Sequence, residues 1–566
     1  MNVLHQIGRL LMLCIRGPGG RLGVLYFAIV LGLNLAGVYI TVRMVAWTAA
    51  FYNALEKLNV DEVVRQIGIF AILVGLNASR ALIAEYVRKL LQIRWRQSLM
   101  SVVLDLWLSG KAYWHLQPGF SSDSIDNPDQ RIADDCRMFV DKLLSEALDL
   151  ITSVVGLTTY IALLWSLSTF PLAFSLLGFD VSVPRYMVWA AFIYVALSSG
   201  LTHALGRPLK NLFFQQQRRE GDLRFALARL RETAGEIALA GGEPAERRLL
   251  DRRFGAIREN WRRLINREFV MGCFTRPYMF TVLRIPVFLA LPAYLAGQVT
   301  LGGLMQLGSA FSNVVTSLSW FIFSYRDLAD LVATTGRLDS LIAVSRAAAA
   351  RPAAIAALPS NDDSFRIDEL RLDTPNGVAL QAPALLELRR GETVWISGAS
   401  GIGKSTFLKA LAGLWPYGSG TVLSPAEASR VFLSQQPYLP LDDLSAMAAY
   451  PRDPETLPAG AVPVLMRQVG LGHRLDLLDA DNKEGAPGLS GGEKQRLALL
   501  RLLVLKPDWA FLDEATSALD VEAERQLYAL LRQALPDTTF VVVAHREPVG
   551  LGPLRRVDFA PSAQAA

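Results

Sequence analysis

The run ETVWISGASGIGKSTFLKALAGLW, residues 392–415, constrains the fold more than any other stretch of the chain. A short, apolar, β-rich segment passes at once into a glycine-rich loop and then a helical pattern. That order predicts strand, loop and helix. Such a loop lets backbone N–H groups close on phosphate oxygens, and the helix N-terminus adds its positive dipole end. Gly398, Ala399, Ser400, Gly401, Ile402, Gly403 and Thr406 are the expected cradle. Lys404 is expected to reach the β- and γ-phosphates, and the Ser405 hydroxyl to ligate Mg²⁺, so the nucleotide is read as ATP.

Two carboxylates and a histidine fit the same chemistry. The apolar segment of DWAFLDEATSALD ends in Asp513 and Glu514. Asp513 is expected to hold Mg²⁺, directly or through water, and Glu514 to orient and deprotonate the attacking water. VVVAHRE predicts another buried strand, with His545 at its end near the γ-phosphate. A second phosphate-type loop, GLSGGEKQR at residues 488–496, then needs a reason, because the first already surrounds one ATP on three sides. If both loops open on one sheet edge, the second cannot fold onto its own domain's nucleotide. It can cover the ATP of a second copy. Ser490, Gly491 and Gly492 are therefore read as a sensor for the partner's nucleotide in a head-to-tail homodimer.

The rest of the chain is of another kind. Of 566 residues, 52% are hydrophobic and only 19% charged, against about 25% charged in soluble domains. A spanning helix needs ~20 mostly apolar residues, and candidates fall at residues 22–42, 67–84, 151–167, 186–205, 279–297 and 304–323. Arg9, Arg16 and Arg21 precede the first, and no small-residue cleavage site follows it, so it reads as a span rather than a signal peptide. The connection at residues 207–267 carries 15 Lys and Arg, whereas GQVTLGG carries none. The positive-inside rule puts both termini and the long connections in the cytoplasm, and accounts for the net charge of +5 without a nucleic-acid partner.

The expected fold class is an α-helical six-span membrane domain followed by an α/β P-loop NTPase domain. The boundaries fall at 1–345 for the membrane domain, 346–362 for a low-complexity linker, 363–560 for the ATPase and 561–566 for a disordered tail. Arg80 in the second span and Arg284 in the fifth each cost about 2.5–3.5 kcal/mol in lipid on insertion scales. Both are expected to face a water-filled cavity or to snorkel. Pro286 and Pro292 are expected to kink the fifth span. Leu223, Ala226, Leu227 and Leu230 recur with helix period, giving either a solvated amphipathic helix or a lever pressing on the cytoplasmic domain. Cys14, Cys136 and Cys273 have no metal-like spacing and are expected to be reduced.

GASGIGKST, LSGGEKQR, FLDEATSALD and His545 together resemble the ABC transporter ATPase. The resemblance implies that Gln435, in FLSQQPYLP, is the family's Q-loop glutamine, contacting the metal region and facing the membrane helices. The aromatic that usually stacks on adenine should fall in RLDTPNGV, where Asp373 and Thr374 stand instead. In the membrane half, DNPDQRI, VPRYMVWAAFIYVALSSGLTHALGRPL, EGDLRFALARLRETAGEIALAGGE and AGQVTLGGLMQLGSAF resemble the bacterial SbmA/BacA-related family. More distantly they resemble the peroxisomal fatty-acyl transporters of ABC subfamily D. This implies an exporter-type fold able to run inward, with a large hydrophilic cavity at a dimer interface. It also implies coupling residues Glu220, Asp222 and Arg224 at a cytoplasmic tip that meets the ATPase near Gln435.

The function expected is ATP-driven movement of bulky hydrophilic solutes, such as peptides or cobalamin-like compounds, inward across a bacterial inner membrane. Export or flipping of lipid or fatty-acyl groups is the alternative, against which Asn34, Asn77, Arg80 and Arg284 suggest a wetter interior. A membrane-tethered regulatory ATPase is the alternative from another class.

Overall fold

The computed structural model describes residues 3–117, 125, 127–176, 179–282, 284–351, 354–383, 385–440, 442–458, 460–478 and 488–559. The chain divides into two compact units, Met1–Ser109 with Asp126–Arg346, and Gly110–Ile125 with Ala347–Ala566.

Among its described residues, the first unit's regular structure is helical apart from one antiparallel strand pair, Leu172–Leu176 with Phe179–Val183. Four described helices, Gly20–Glu56, Val60–His115, Pro128–Leu167 and Tyr186–Glu232, are long and apolar enough to cross a membrane. They contain the first four expected spans. At 1.5 Å per residue, the helix running unbroken over the 49 residues Val60–Leu108 is roughly 70 Å long, over twice the ~30 Å hydrocarbon core. Helices of this length must continue past the bilayer. Tyr186–Glu232 and Glu243–Thr281 pack along each other, pinned by the buried Asn260, whose Nδ2 donates to the Leu212 carbonyl at 3.0 Å and to Gln216 Oε1 at 2.9 Å.

The fifth expected span is not one helix. It is divided between the end of Glu243–Thr281 and the 11-residue helix Ile285–Leu295. Pro286 has no N–H with which to extend the preceding helix, but it suits the first turn of a new one. The expected kink there is therefore a break, with Pro292 left inside the short helix. The sixth stretch lies within Leu301–Ala349.

The second unit is α/β. Its parallel sheet runs Leu554–Asp558, Thr393–Ser397, Thr539–Val543, Trp509–Asp513 and Arg430–Leu433 in spatial order. TFVVV is buried throughout and WAFLD almost so, as the strands of a sheet covered on both faces should be. A second sheet is built on Gly418–Pro425 and Ser364–Asp373. Phe365 joins the two, its ring meeting Trp509 edge-on at 4.7 Å and Phe511 at 5.4 Å.

Two of the expected boundaries change. Residues 346–362 are not a free linker, because Leu301–Ala349 stays helical through its closing alanines and Ala356–Ser360 pairs as a parallel edge strand with Gly418–Pro425. Alanine is the best helix former, and strand pairing engages backbone groups whatever the side chains are. Residues 110–125, expected in the membrane domain, group instead with the C-terminal unit. The expected tail, 561–566, lies outside the described residues.

Candidate active site

The strand Thr393–Ser397 delivers the chain into the glycine-rich loop, and the helix Lys404–Leu411 leaves it. Gly403 caps that helix at φ 119°, and a Cβ there would lie 3.1 Å from the Gln381 carbonyl oxygen, so the turn favours glycine on both counts. Lys404 is 5% exposed, and its Nζ donates to the carbonyls of Gly398 and Ala399 at 2.8 Å each. Two of its three ammonium hydrogens are thereby engaged, leaving one for another acceptor. Ser405 Oγ donates to Asp513 Oδ1 at 3.1 Å, so the two expected Mg²⁺ ligands meet. Burial pushes the Asp513 carboxyl above its usual range, with the Glu514 charge adding and the Ser405 bond opposing. A hydroxyl and a carboxylate beside a buried ammonium are the hard oxygen donors and the cation that a magnesium-bound polyphosphate requires.

Glu514 follows at φ 48°, its N–H donating to the Val543 carbonyl at 2.9 Å. A non-glycine residue in this region costs of order 1–3 kcal/mol and persists where its surroundings over-determine it. The surroundings do so here. Gln435 Nε2 donates to Glu514 Oε2 at 2.8 Å, and His545 Nε2 lies 2.9 Å from Oε1. The three residues follow the C-terminal ends of three adjacent parallel strands, the place where open α/β sheets hold ligands. Gln435 spends its amide N–H on Glu514, which leaves its amide oxygen as the end suited to a metal.

The second loop is held apart from this cluster. Ser490 caps the helix Gly491–Leu505 in a capping box with Glu493. Arg474 Nε donates to Glu493 Oε1 at 2.7 Å, and its guanidinium also reaches the Gly488 carbonyl at 3.0 Å. Arg474 first, and then the Ser490 N–H, hold the Glu493 carboxyl far below the usual carboxylate range. Ser490 and Gly491 are exposed, and among the described residues no hydrogen bond joins 490–492 to 398–406. The structure thus brings together Lys404, Ser405, Asp513, Glu514, Gln435 and His545, and does not bring Ser490, Gly491 and Gly492 to them.

Residues 383–517 match the family described as ABC transporter, and residues 10–294 match ABC transporter transmembrane region 2. The inner membrane ABC transporter ATP-binding protein YddA of Escherichia coli (strain K12) is 32% identical over 547 residues, covering 95% of each chain. The chain belongs to the ABC transporter family. This ABC transporter is also 27% identical over 584 residues to the human lysosomal cobalamin transporter ABCD4, covering 92% of this chain and 89% of that one. A bacterial Atm1-family ABC exporter with ATP bound shares its fold at a TM-score of 0.71 and 18% identity, over 93% of this chain and 91% of the other. Fused membrane and ATP-binding halves, and ATP hydrolysis as the chemistry, follow from the family.

Several residues of the ABC transporter's ATPase unit escape sequence reasoning. Gln495 is 3% exposed and ties the second loop's helix to the segment after Glu514, donating to Ser517 Oγ at 3.1 Å and accepting from the Ala518 N–H at 2.8 Å. Arg546, next to His545, donates to Glu524 Oε2 from Nη2 at 2.7 Å and from Nε at 3.1 Å. The Asp373 carbonyl, in the segment where the adenine-stacking aromatic was expected, accepts from Trp415 Nε1 at 2.9 Å.

Residues 110–125 contribute a short helix, Ala112–His115, to this unit. Trp114 Nε1 donates to the Leu414 carbonyl at 3.0 Å, and Lys409 Nζ lies 5.6 Å from the centre of its ring. Lys111 Nζ donates to the Ala412 carbonyl at 3.4 Å. These groups serve carbonyls just past the end of the helix that starts at Lys404, where orphan acceptors and the negative dipole end favour them. The signal was readable as AYWH, an aromatic pair in a connection that has no need of one.

The expected coupling residues sit in the first unit, on Tyr186–Glu232. Glu220 accepts from Gln216 Nε2 at 3.0 Å, the Asp222 carbonyl accepts from Arg253 at 2.8 Å, and Arg224 is exposed. Arg284 is exposed at the break before Ile285–Leu295, and Arg80 lines a cavity described below.

Proposed function

We propose that this ABC transporter works as a homodimer in a bacterial inner membrane and moves bulky hydrophilic solutes inward, peptides or cobalamin-like compounds among them. One observation carries the engine of this reading: Gln435 and His545 grip the two oxygens of Glu514 beside the Ser405–Asp513 pair, while the loop at Ser490 is exposed and, among the described residues, makes no hydrogen bond to the nucleotide loop. The cobalamin named for ABCD4, and the charged residues of the spans, support a hydrophilic cargo.

Bound ATP with Mg²⁺ supplies the phosphoanhydride bond whose hydrolysis drives the cycle. Lys404 would bind phosphate oxygen with its remaining ammonium hydrogen, and Ser405, Asp513 and the Gln435 amide oxygen would hold Mg²⁺. Glu514 takes the proton of the attacking water, oriented by Gln435 and His545. Ser490, Gly491 and Gly492 cover the nucleotide of the second copy. Glu220, Asp222 and Arg224 couple the membrane domain to the ATPase.

ATP-dependent accumulation of a labelled peptide or of cobalamin inside sealed right-side-out vesicles loaded with ATP tests the whole. Hydrolysis without movement of any solute would favour the regulatory ATPase instead.

Acid should weaken nucleotide binding early. Metal binding needs Asp513 ionised, and its raised pKa keeps it protonated to a higher pH than an ordinary aspartate. Mg²⁺-dependent ATP binding should therefore begin to fall at a higher pH than an ordinary aspartate would set, and Asp513→Asn should bind weakly with that pH dependence gone. Nucleotide affinity titrated against pH at fixed Mg²⁺ checks this.

Trp114→Ala removes one hydrogen bond, worth about 0.5–1.5 kcal/mol, along with the ring facing Lys409. It should leave basal hydrolysis in place and lower the amount of solute moved per ATP consumed. Charge reversal at Asp222 or Arg224 should do the same if those residues couple the halves. An unchanged ratio in either case assigns that residue to stability alone.

A further inference from the structure

A cavity of about 180 Å³ opens in the first unit against Gly20–Glu56, Val60–Leu108 and Cys136–Leu167. Its wall carries Asn34, Arg80, Glu85, Arg88 and Asp149. Residues 80, 84 and 88 recur every fourth position and so share one helix face, with the small Ala84 between the two arginines leaving the space. Charged side chains on membrane helices are costly and mark functional sites. The arrangement of these five is specific.

Arg80 is fixed. Its Nη1 donates to the Leu33 carbonyl at 3.2 Å and its Nε to Asn77 Oδ1 at 3.2 Å. It crosses the neighbouring helix where there is no side chain, since a Cβ at Gly37 would lie 2.7 Å from the guanidinium carbon. Arg88 pairs with Glu85 at 2.6 Å, which neutralises both, yet its Nε is buried with no acceptor among the described residues. An unmet buried donor is unfavourable until something accepts from it. Among the described residues, Asp149 accepts one long hydrogen bond, from Ser145 at 3.5 Å. The cavity therefore offers a held cation and a spare donor on one helix, and on another a carboxylate within reach of the Arg88 charge that has no short hydrogen bond of its own among the described residues.

We propose that this cavity binds a zwitterionic group, with carboxylate or phosphate oxygens on Arg80 and Arg88 and an ammonium on Asp149. The proposal rests on the transport reading above and adds the chemistry recognised. Two sources present such a pair of charges, a short peptide-like solute through its two termini and an aminophospholipid headgroup.

The test uses the full-length transporter in phosphatidylglycerol nanodiscs without ATP. A reporter cysteine, Ala81→Cys, sits on the cavity wall in a Cys273→Ser background, since Cys14 and Cys136 are buried. Tri-alanine should slow thiol labelling about tenfold at ten times its Kd, whereas N-acetyl-tri-alanine amide, which lacks both charges, should not. Arg80→Gln and Asp149→Asn should each abolish the protection. Protection on replacing phosphatidylglycerol by phosphatidylethanolamine, with no peptide effect, assigns the site to the lipid headgroup. No protection by either, or protection that survives both substitutions, overturns the proposal. Equilibrium dialysis of radiolabelled tri-alanine against the unsubstituted transporter decides the same question if the cysteine variant folds poorly. Because labelling is read without ATP, its failure leaves the transport reading standing, and a failure of ATP-driven uptake leaves the binding result standing.

Discussion

Glu514→Gln should lower ATP hydrolysis by ~10² or more while nucleotide and Mg²⁺ still bind. The substitution keeps the shape of the side chain and removes its basicity. The carboxylate it replaces is held from three directions: through its backbone N–H on Val543, and through its two oxygens by Gln435 at 2.8 Å and His545 at 2.9 Å. A glutamine can retain one of these contacts as an acceptor but cannot take the proton of water. The Ser405–Asp513 pair and the Lys404 ammonium are untouched, so ATP should accumulate unhydrolysed and hold two ATPase units together. Hydrolysis rates and nucleotide retention, measured on the same preparation, separate the two effects. Turnover near that of the unsubstituted protein would remove Glu514 from the base role.

Mixed dimers of Lys404→Ala and Ser490→Arg should behave in opposite ways according to how the changes are distributed. Lys404→Ala removes a buried cation from the loop, and Ser490→Arg puts a long charged side chain in place of the exposed cap of Gly491–Leu505. With both changes in one chain, each composite site carries one defect, and neither should close on ATP. With one change in each chain, both defects fall in a single site and the other is built wholly from normal parts. That site should still trap nucleotide, even if transport needs both. Trapped nucleotide per dimer, read with separately tagged chains, decides it. Equal trapping in the two arrangements would mean that the Ser490 loop serves the ATP of its own chain.

Much of the candidate site was legible because its chemistry is local. The spacing in GASGIGKST and the flanking strand and helix are properties of one window, and in the structure a strand enters and a helix leaves that loop, with Lys404 on the Gly398 carbonyl and Ser405 on Asp513. Asp513, Glu514 and His545 were legible as polar residues ending apolar runs, expected around one nucleotide. The strand order behind their contacts was not, because Trp509–Asp513 lies between Thr539–Val543 and Arg430–Leu433. The Gln435–Glu514 contact joins residues 79 apart in the chain, and no periodicity reports such a distance.

The sequence by itself determined the helical membrane half, the α/β half and the nucleotide loop, since apolar run length, strand–loop–helix order and residue chemistry act within short windows. Only the tertiary structure decided that residues 110–125 belong with the ATPase unit, and that 356–360 are an edge strand rather than a linker. It alone placed Arg80 and Arg88 across a cavity from Asp149. Those outcomes rest on backbone carbonyls, an open strand edge and the space left by Gly37 and Ala84, all supplied by segments far away in the chain, and long-range pairing of this kind leaves no local pattern to read.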